Sequence, residues 1–415
     1  MRQFSEADEQ GVYELAIGIT CVLGSYGICQ TCLHKPGTWG FHKDDDARLG
    51  HALTFHGNHC AIGHPKSITR IIVKKFNVGI IGYGWAAGAH IDAINNTGRA
   101  QVTAVHSSRL LDGDEVSAAH GRRIKTYTNL KAMLKDPSID VIDVTSYPYQ
   151  HTDQVVAAAK AGKHLIIEKP LCLSKKDLNR MVAAVKKARV KTCVCFECRF
   201  SGEFMTLRTM IDKGLIGKIH YGEVDYYHGV GPWYGQYRWN TKKEAGGSSL
   251  LSAGCHAMDA LLHCMGSTDV AEVSSYSTGS KNRIFKKYEY DTTSVTILKF
   301  KDGRLGKVAS VIDCLQPYYF HVHLVGSEGS VLDNKFYSTQ LGGLDKNRWS
   351  ELGTPLVDSG DVADHPYQQQ FDAFFKALRQ GKKMDYTSLD DAAKSHQIIF
   401  AADESAATGK PVKIR

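Results

Sequence analysis

The chain has 415 residues, 43% of them hydrophobic and 23% charged, which is too long for one compact core and excludes a fibrous or wholly disordered polypeptide. The net charge of +8 is modest and the 51 Lys and Arg are spread along the sequence, whereas a nucleic-acid binder shows basic clusters among exposed aromatics. No apolar run reaches the ~18 residues of a bilayer span.

Residues 1–75 are rich in His, Gly and Cys and show no sustained period. Acidic residues Glu6, Asp8, Glu9 and Glu14 precede or enter "LAIGITCVLGSYGIC", and secretion signals instead carry a positive start. Two readings of this extension stay open. It is either genuine, with a small metal site from Cys29, Cys32, His56, His59 and Cys60, or the result of a misplaced start, with the functional chain opening near Val73. The second is simpler.

From Phe76 the pattern becomes ordered. "NVGIIGYG" predicts a buried strand and turn, followed by a helix over 87–97. Gly82, Gly84, Trp85, Ala86 and Ala87 fall in a G-x-G-x-x-A turn at the end of that strand, where the helix N-terminus presents unpaired N–H groups to a pyrophosphate. "AQVTAVHSS" is a second strand. Its tip offers Ser107, Ser108 and Arg109 instead of the acid that usually reads an NAD ribose, which leans slightly toward NADP over NAD. "TNLKAMLKD" is a helix, "IDVIDVTS" a third strand, "HTDQVVAAAKAG" a helix closed by Gly162, and "KHLIIEKP" a fourth strand. The helix "SKKDLNRMVAAVKKAR" and a fifth strand, "KTCVCFE", complete a parallel sheet covered on both faces. Cys193, Cys195 and Cys198 read as small buried hydrophobes, since no second ligand pair for zinc is visible; no metal is expected, and a reducing cytoplasm suits eleven cysteines without a disulfide framework.

After Arg199 come a helix over 204–213, a strand "KIHYGEVDYYHGV", and a helix over 248–265. The closely spaced runs "VAEVSSYST", "DTTSVTILKF", "LGKVASVIDC", "YFHVHLVGS" and "GSVLDN" predict a large, mainly antiparallel sheet. Two helices finish the chain, over 366–379 and 389–408, the second behind Ser388 as N-cap and ending at Gly409. The expected organisation is therefore an extension (1–75), a doubly wound Rossmann domain (76–199), and a substrate-binding or oligomerisation α/β domain (200–415).

The chemistry concentrates at Glu168-Lys169-Pro170, on the C-terminal edge of the fourth strand, where open α/β sheets bind ligands. A desolvated lysine there can have a lowered pKa and hydrogen-bond a substrate hydroxyl. Here the sequence resembles the Gfo/Idh/MocA oxidoreductase family from about Phe76 to Arg415, through "VGIIGYGWAAGAH", "AAAKAGKHLIIEKPL", "FECRFS", "GLIGKI", "GGSSLLSAGCHAMDALLHCMG" and "HPYQQQFDAFFKAL". The resemblance implies a nicotinamide cofactor, a catalytic Lys169 with a cis bond to Pro170, a C-terminal sheet that mediates a homo-oligomer (dimer or tetramer), and sugar or cyclitol substrates.

It also implies that Ser252, His256 and Asp259 occupy the family's catalytic helix. Offsets of four and seven residues place them on one helical face. His256 would be the general base and Asp259 would orient its ring. Ser252 stands where many relatives carry an acid. In "TSYPYQH", Ser146, Tyr147 and His151 are expected beside the nicotinamide, with Tyr147 where the family more often has proline. Arg238 and Trp239, and His365 and Tyr367 of "DHPYQQQ", are expected near the substrate. The leading expectation is a reversible dehydrogenase. A redox-neutral glycosidase working by transient oxidation and elimination is a second reading, which Ser252 favours. A non-catalytic nucleotide-binding regulator is a third, which Lys169 and His256 disfavour.

Overall fold

The computed structural model describes residues 74–356 and 365–414. The cysteine and histidine cluster considered for the extension lies outside the described residues. β1 (Phe76–Ile81) is a continuous apolar run that leads into α1 (Trp85–Asn96). β2 (Ala100–His106), α2 (Gly113–Ala119), β3 (Lys125–Tyr127), α3 (Leu130–Lys135), β4 (Val141–Val144), α4 (Pro148–Lys160), β5 (His164–Ile167), α5 (Lys175–Ala188) and β6 (Thr192–Val194) continue the alternation. All neighbours pair in parallel, in the order β3-β2-β1-β4-β5-β6. The sheet thus has six strands, one more than the hydrophobic pattern predicts. β3 is three residues long and partly exposed, so it carries no apolar run, and α2 before it holds a single buried residue, Val116.

A 3₁₀ turn (Glu197–Phe200) and α6 (Gly202–Asp212) lead out of this unit. There follow β7 (Ile219–Tyr227), two short helices α7 (Tyr237–Asn240) and α8 (Lys243–Gly246), a π turn (Leu250–Gly254) and α9 (Cys255–Met265). Next come β8 (Val270–Thr278), β9 (Thr293–Phe300), β10 (Leu305–Val311), β11 (Tyr319–Gly326), β12 (Gly329–Leu332), β13 (Lys335–Ser338) and β14 (Ser350–Glu351). The chain closes with α10 (Tyr367–Arg379), α11 (Leu389–Thr408) and β15 (Val412–Lys413). The second sheet has nine strands, β14-β13-β12-β11-β7-β10-β9-β8-β15, antiparallel except where β7 meets β10. The three strands without a sequence signal, β13, β14 and β15, are short and lie toward the sheet's two ends.

α11 matches the expected span. Gly409 closes it in the left-handed conformation, and Asp390 and Asp391 suit its N-terminal dipole, but Ser388 makes no side-chain capping bond. α10 returns to the first sheet and packs on α1. Its Phe371, Phe374 and Phe375 are fully buried beside Val78, Ile80 and Ile91, each such ring worth about 1.5–3 kcal/mol of burial. A second core runs from α4 and α5 to α9 and α11 beneath the nine-stranded sheet. Alternate residues of β4, β5 and β6 divide between the two cores, Val141, Ile166 and Cys193 in the first and Ile142, Ile167 and Val194 in the second, so the cores lie on opposite faces of the sheet. Among the described residues no helix is long and apolar enough to cross a membrane.

Candidate active site

A cleft of about 540 Å³ opens at the C-terminal edge of the six-stranded sheet. Gly82 sits at φ +99°, and a Cβ there would lie 3.0 Å from the Ser146 backbone, so the turn demands glycine. Gly84 is different. It caps α1 in an extended conformation, and an added Cβ would meet nothing within 4 Å. No side chain caps α1 and no acid stands in its first turn, which leaves its N–H groups to a ligand. A bare, uncapped helix start behind an open glycine fits a dinucleotide pyrophosphate. Trp85 and Ala86 also line the cleft.

At the tip of β2, Ser107, Ser108 and Arg109 line the cleft. The Ser107 hydroxyl accepts from the Arg109 N–H at 3.1 Å, and the Arg109 guanidinium donates to the Tyr83 carbonyl at 3.0 Å. Glu168 is the one carboxylate among the lining residues. On the next loop, Ser146 donates to Gln154 at 2.5 Å, and Tyr147 lies edge-on to Trp239 with ring centroids 5.5 Å apart. Tyr147, Arg238 and Trp239 all line the cleft. His151 does not. It is fully buried, its two ring nitrogens bonded to the carbonyls of Pro170 at 2.9 Å and Ser146 at 3.0 Å, so it ties the two loops together from behind.

β5 delivers Glu168 and Lys169 to the cleft, with a cis bond between Lys169 and Pro170. Glu168 is held by three neighbours: it accepts from the Lys169 N–H at 2.9 Å and from the Tyr367 hydroxyl at 3.0 Å, and His90 Nε2 stands 3.0 Å away, while His90 Nδ1 reaches Asp143 at 2.8 Å. Burial alone would raise the Glu168 pKa, but His90, Lys169 and Tyr367 outweigh it and bring it to about 2. The expectation of a depressed Lys169 pKa is overturned. Burial pulls it down, yet the negative charge of Glu168 lifts it above the ordinary lysine value. Lys169 is therefore an ammonium, a donor rather than a resting base.

The catalytic-helix residues separate. Ser252, on the π turn, lines the cleft, whereas His256 is buried behind its wall. Its Nδ1 lies 3.7 Å from the Cys198 sulfur and its Nε2 3.7 Å from a Glu197 oxygen. Burial first, then the charge of Lys169 and the neighbouring His365, hold the imidazole well below its usual pKa, so it is neutral. Asp259 does not orient that ring. It takes a two-pronged bond from Arg199, both contacts 2.6 Å, and a third from Ser395 at 3.0 Å, while Arg199 also reaches Asp391 at 2.7 Å. His365 and Tyr367, expected near substrate, are likewise back-wall residues: His365 Nε2 lies 3.6 Å from Glu197, and Tyr367 is 3% exposed. Sequence reasoning missed His90, Glu197 and Arg199. Arg199 and Glu197 fall in "FECRFS", a stretch used only for its resemblance, and nothing in its spacing marks a buried carboxyl.

Residues 76–196 match a model described as an oxidoreductase family, NAD-binding Rossmann fold, and residues 208–414 match that family's C-terminal alpha/beta domain. The chain is 29% identical over 342 residues to myo-inositol 2-dehydrogenase of Thermotoga maritima, covering 81% of this chain and 98% of the relative. It is 26% identical over 332 residues to 1,5-anhydro-D-fructose reductase of Ensifer adhaerens, covering 78% and 94%. The solved structure of a levoglucosan dehydrogenase in complex with NADH and levoglucosan superposes with a TM-score of 0.70 at 21% identity, covering 82% of this chain and all of the other.

Proposed function

The chain belongs to the Gfo/Idh/MocA oxidoreductase family, and from that premise we propose that it moves a hydride between a nicotinamide dinucleotide and a hydroxyl-bearing carbon of a sugar or cyclitol. One observation carries the reading. The glycine turn at 82–84, the Lys169 ammonium and the polar-aromatic wall of Arg238 and Trp239 line a single cleft. The named activities of the relatives, on myo-inositol and on 1,5-anhydro-D-fructose, support the substrate class.

Gly82, Gly84, Trp85 and Ala86 would hold the pyrophosphate, Ser107, Ser108 and Arg109 the adenosine ribose, and Ser146 and Tyr147 the nicotinamide side. Bound there, the nicotinamide supplies the hydride acceptor or donor. Hydroxyls and a guanidinium at the ribose end suit a 2′-phosphate, which favours NADP over NAD. Trp239 and Tyr147 offer flat apolar faces to ring C–H groups, and Arg238 and Ser252 bind hydroxyls. Lys169 donates a hydrogen bond to the reacting oxygen. During oxidation it takes up the hydroxyl proton as it yields one of its own toward neutral His256, so its charge is unchanged at the end; reduction runs the same transfers backward. We further propose that a second copy covers the open face of the nine-stranded sheet, and that the protein works in a reducing compartment such as the cytoplasm. Every described cysteine is free and all but Cys314 are buried, which suits that setting.

The test is a panel of inositols, hexoses, glycosides and anhydrosugars with NAD and with NADP, read by the near-ultraviolet absorbance of the reduced cofactor. Lys169→Met should lower kcat by about 10²–10⁴-fold with dinucleotide affinity kept. Turnover within about twofold of the parent would remove Lys169 from the mechanism.

A further inference from the structure

Glu197, on the 3₁₀ turn after β6, is fully buried, and neither of its carboxyl oxygens is hydrogen-bonded to another residue. Its Oε1 instead faces two imidazoles, His256 Nε2 at 3.7 Å and His365 Nε2 at 3.6 Å. A carboxyl buried without hydrogen bonds to its neighbours is costly, so packing alone gives no reason for one here.

We infer that Glu197 is the proton-carrying link between His256 and His365, acting on the hydride-transfer reaction through His256. This rests on the reading of the cleft as a dehydrogenase site. The step involves only N–H and O–H bonds. A proton arriving on His256 makes an imidazolium. Its Nε2–H passes to Glu197 as the carboxyl proton passes to His365 Nε2, leaving His256 neutral, Glu197 still a carboxylic acid and His365 charged. No electrons leave the set, and the reverse sequence returns a proton to the cleft for reduction.

The surrounding charges favour that traffic. Glu168 and Lys169 face the carboxyl from the end of β5, His90 from α1, His256 and Cys255 from α9, and His365 and Tyr367 from the start of α10. Cys193, Cys195 and Cys198 come from its own segment. Burial first and the charge of Glu168 second raise the Glu197 pKa to about 8, against the opposing pull of Lys169 and His90. The carboxyl therefore holds a proton at neutral pH, while His256 resists keeping one. A proton placed on His256 must move on, and Glu197 is the group beside it that can hand one over.

The experiment compares the intact parent with Glu197→Gln, which keeps size and polarity but cannot carry a proton. In the parent, the kcat profile should bend near pH 8. In the variant that bend should vanish and kcat should fall about tenfold or more, with thermal midpoint and dinucleotide affinity unchanged. Glu197→Asp should restore the bend in part, and serves if the glutamine variant fails to fold. A second readout needs no turnover. The infrared difference spectrum between neutral and alkaline pH should show a protonated-carboxyl band that Glu197→Gln removes. An unaltered pH profile in the glutamine variant, or no such band in the parent, overturns the inference. Absence of turnover on every polyol would instead strike the dehydrogenase reading and leave the infrared test standing.

Discussion

At the scale of single residues, the Glu168 carboxylate beside the cleft is backed by a buried cation, His90. His90 is fully buried between Asp143 and Glu168, with Tyr367 and Phe371 against its ring. Burial would lower its pKa, but the two carboxylates raise it to about 10. The folded value lies above the unfolded 6.5, so the stabilisation is full below about 6.5 and is lost as pH rises through about 10. Glu168 works in the opposite sense: its folded value of about 2 is below 4.5, so its contribution holds above 4.5 and is lost as pH falls toward 2. His90→Leu keeps the volume and removes the His90 bond from Asp143, while Glu168 keeps the Lys169 N–H and the Tyr367 hydroxyl. It should cost about 3–5 kcal/mol in urea unfolding at neutral pH and remove the alkaline slope. A loss below about 1 kcal/mol, the range of exposed pairs, would mean that His90 is neutral and dispensable. Gly82 was legible because a turn imposes its residue type locally. His90 was not, since its partners lie 53 and 78 residues away along the chain.

At the scale of elements, the helix carrying Ser252, His256 and Asp259 shows where periodicity misleads. A regular 3.6-residue helix puts all three on one face. Here Leu250–Gly254 forms a π turn, whose extra residue rotates what precedes it relative to α9. Ser252 then opens on the cleft, while His256 and Asp259 both turn to the Glu197–Phe200 segment. Hydrophobic pattern reads a π turn as helix, so the element was foreseen and the facing was not. Asp259 consequently anchors Arg199. Asp259→Asn should lower unfolding stability by about 3 kcal/mol, near the lower end for a broken buried pair because Asp391 still holds the guanidinium. Its kcat per folded molecule should change less than about threefold. A loss approaching the ~10⁴-fold seen when an orienting carboxylate is neutralised in a catalytic triad, with unchanged stability, would return Asp259 to the imidazole.

At the scale of the molecule, the two sheets differ in how they meet solvent. The six-stranded sheet is covered on both sides, which is why its strands read as unbroken apolar runs. The nine-stranded sheet is covered by α9 and α11 on one side only, and β9 alternates buried and exposed residues accordingly. The close spacing of its strands was legible as a mainly antiparallel sheet. What the pattern could not convey is that part of the other face, beside the Lys307–Glu223 ion pair, is apolar as well. Val295 and Ile297 are 39% and 44% exposed, Val295 stands directly across from Tyr276 on β8, and Leu305 on β10 is also exposed. Contiguous exposed apolar groups on a sheet mark an association surface, and a self-complementary face closes a symmetric dimer. Val295→Glu places a charge beside Tyr276 in the middle of that patch, where a symmetric contact would bring two like charges together and desolvate both. Light scattering of the parent should give a mass of at least two chains, and the variant should fall to one chain at the same concentration with its fold intact by circular dichroism. A monomeric parent, or a variant whose mass is unchanged, would leave this face exposed for some other reason and move the subunit contact elsewhere.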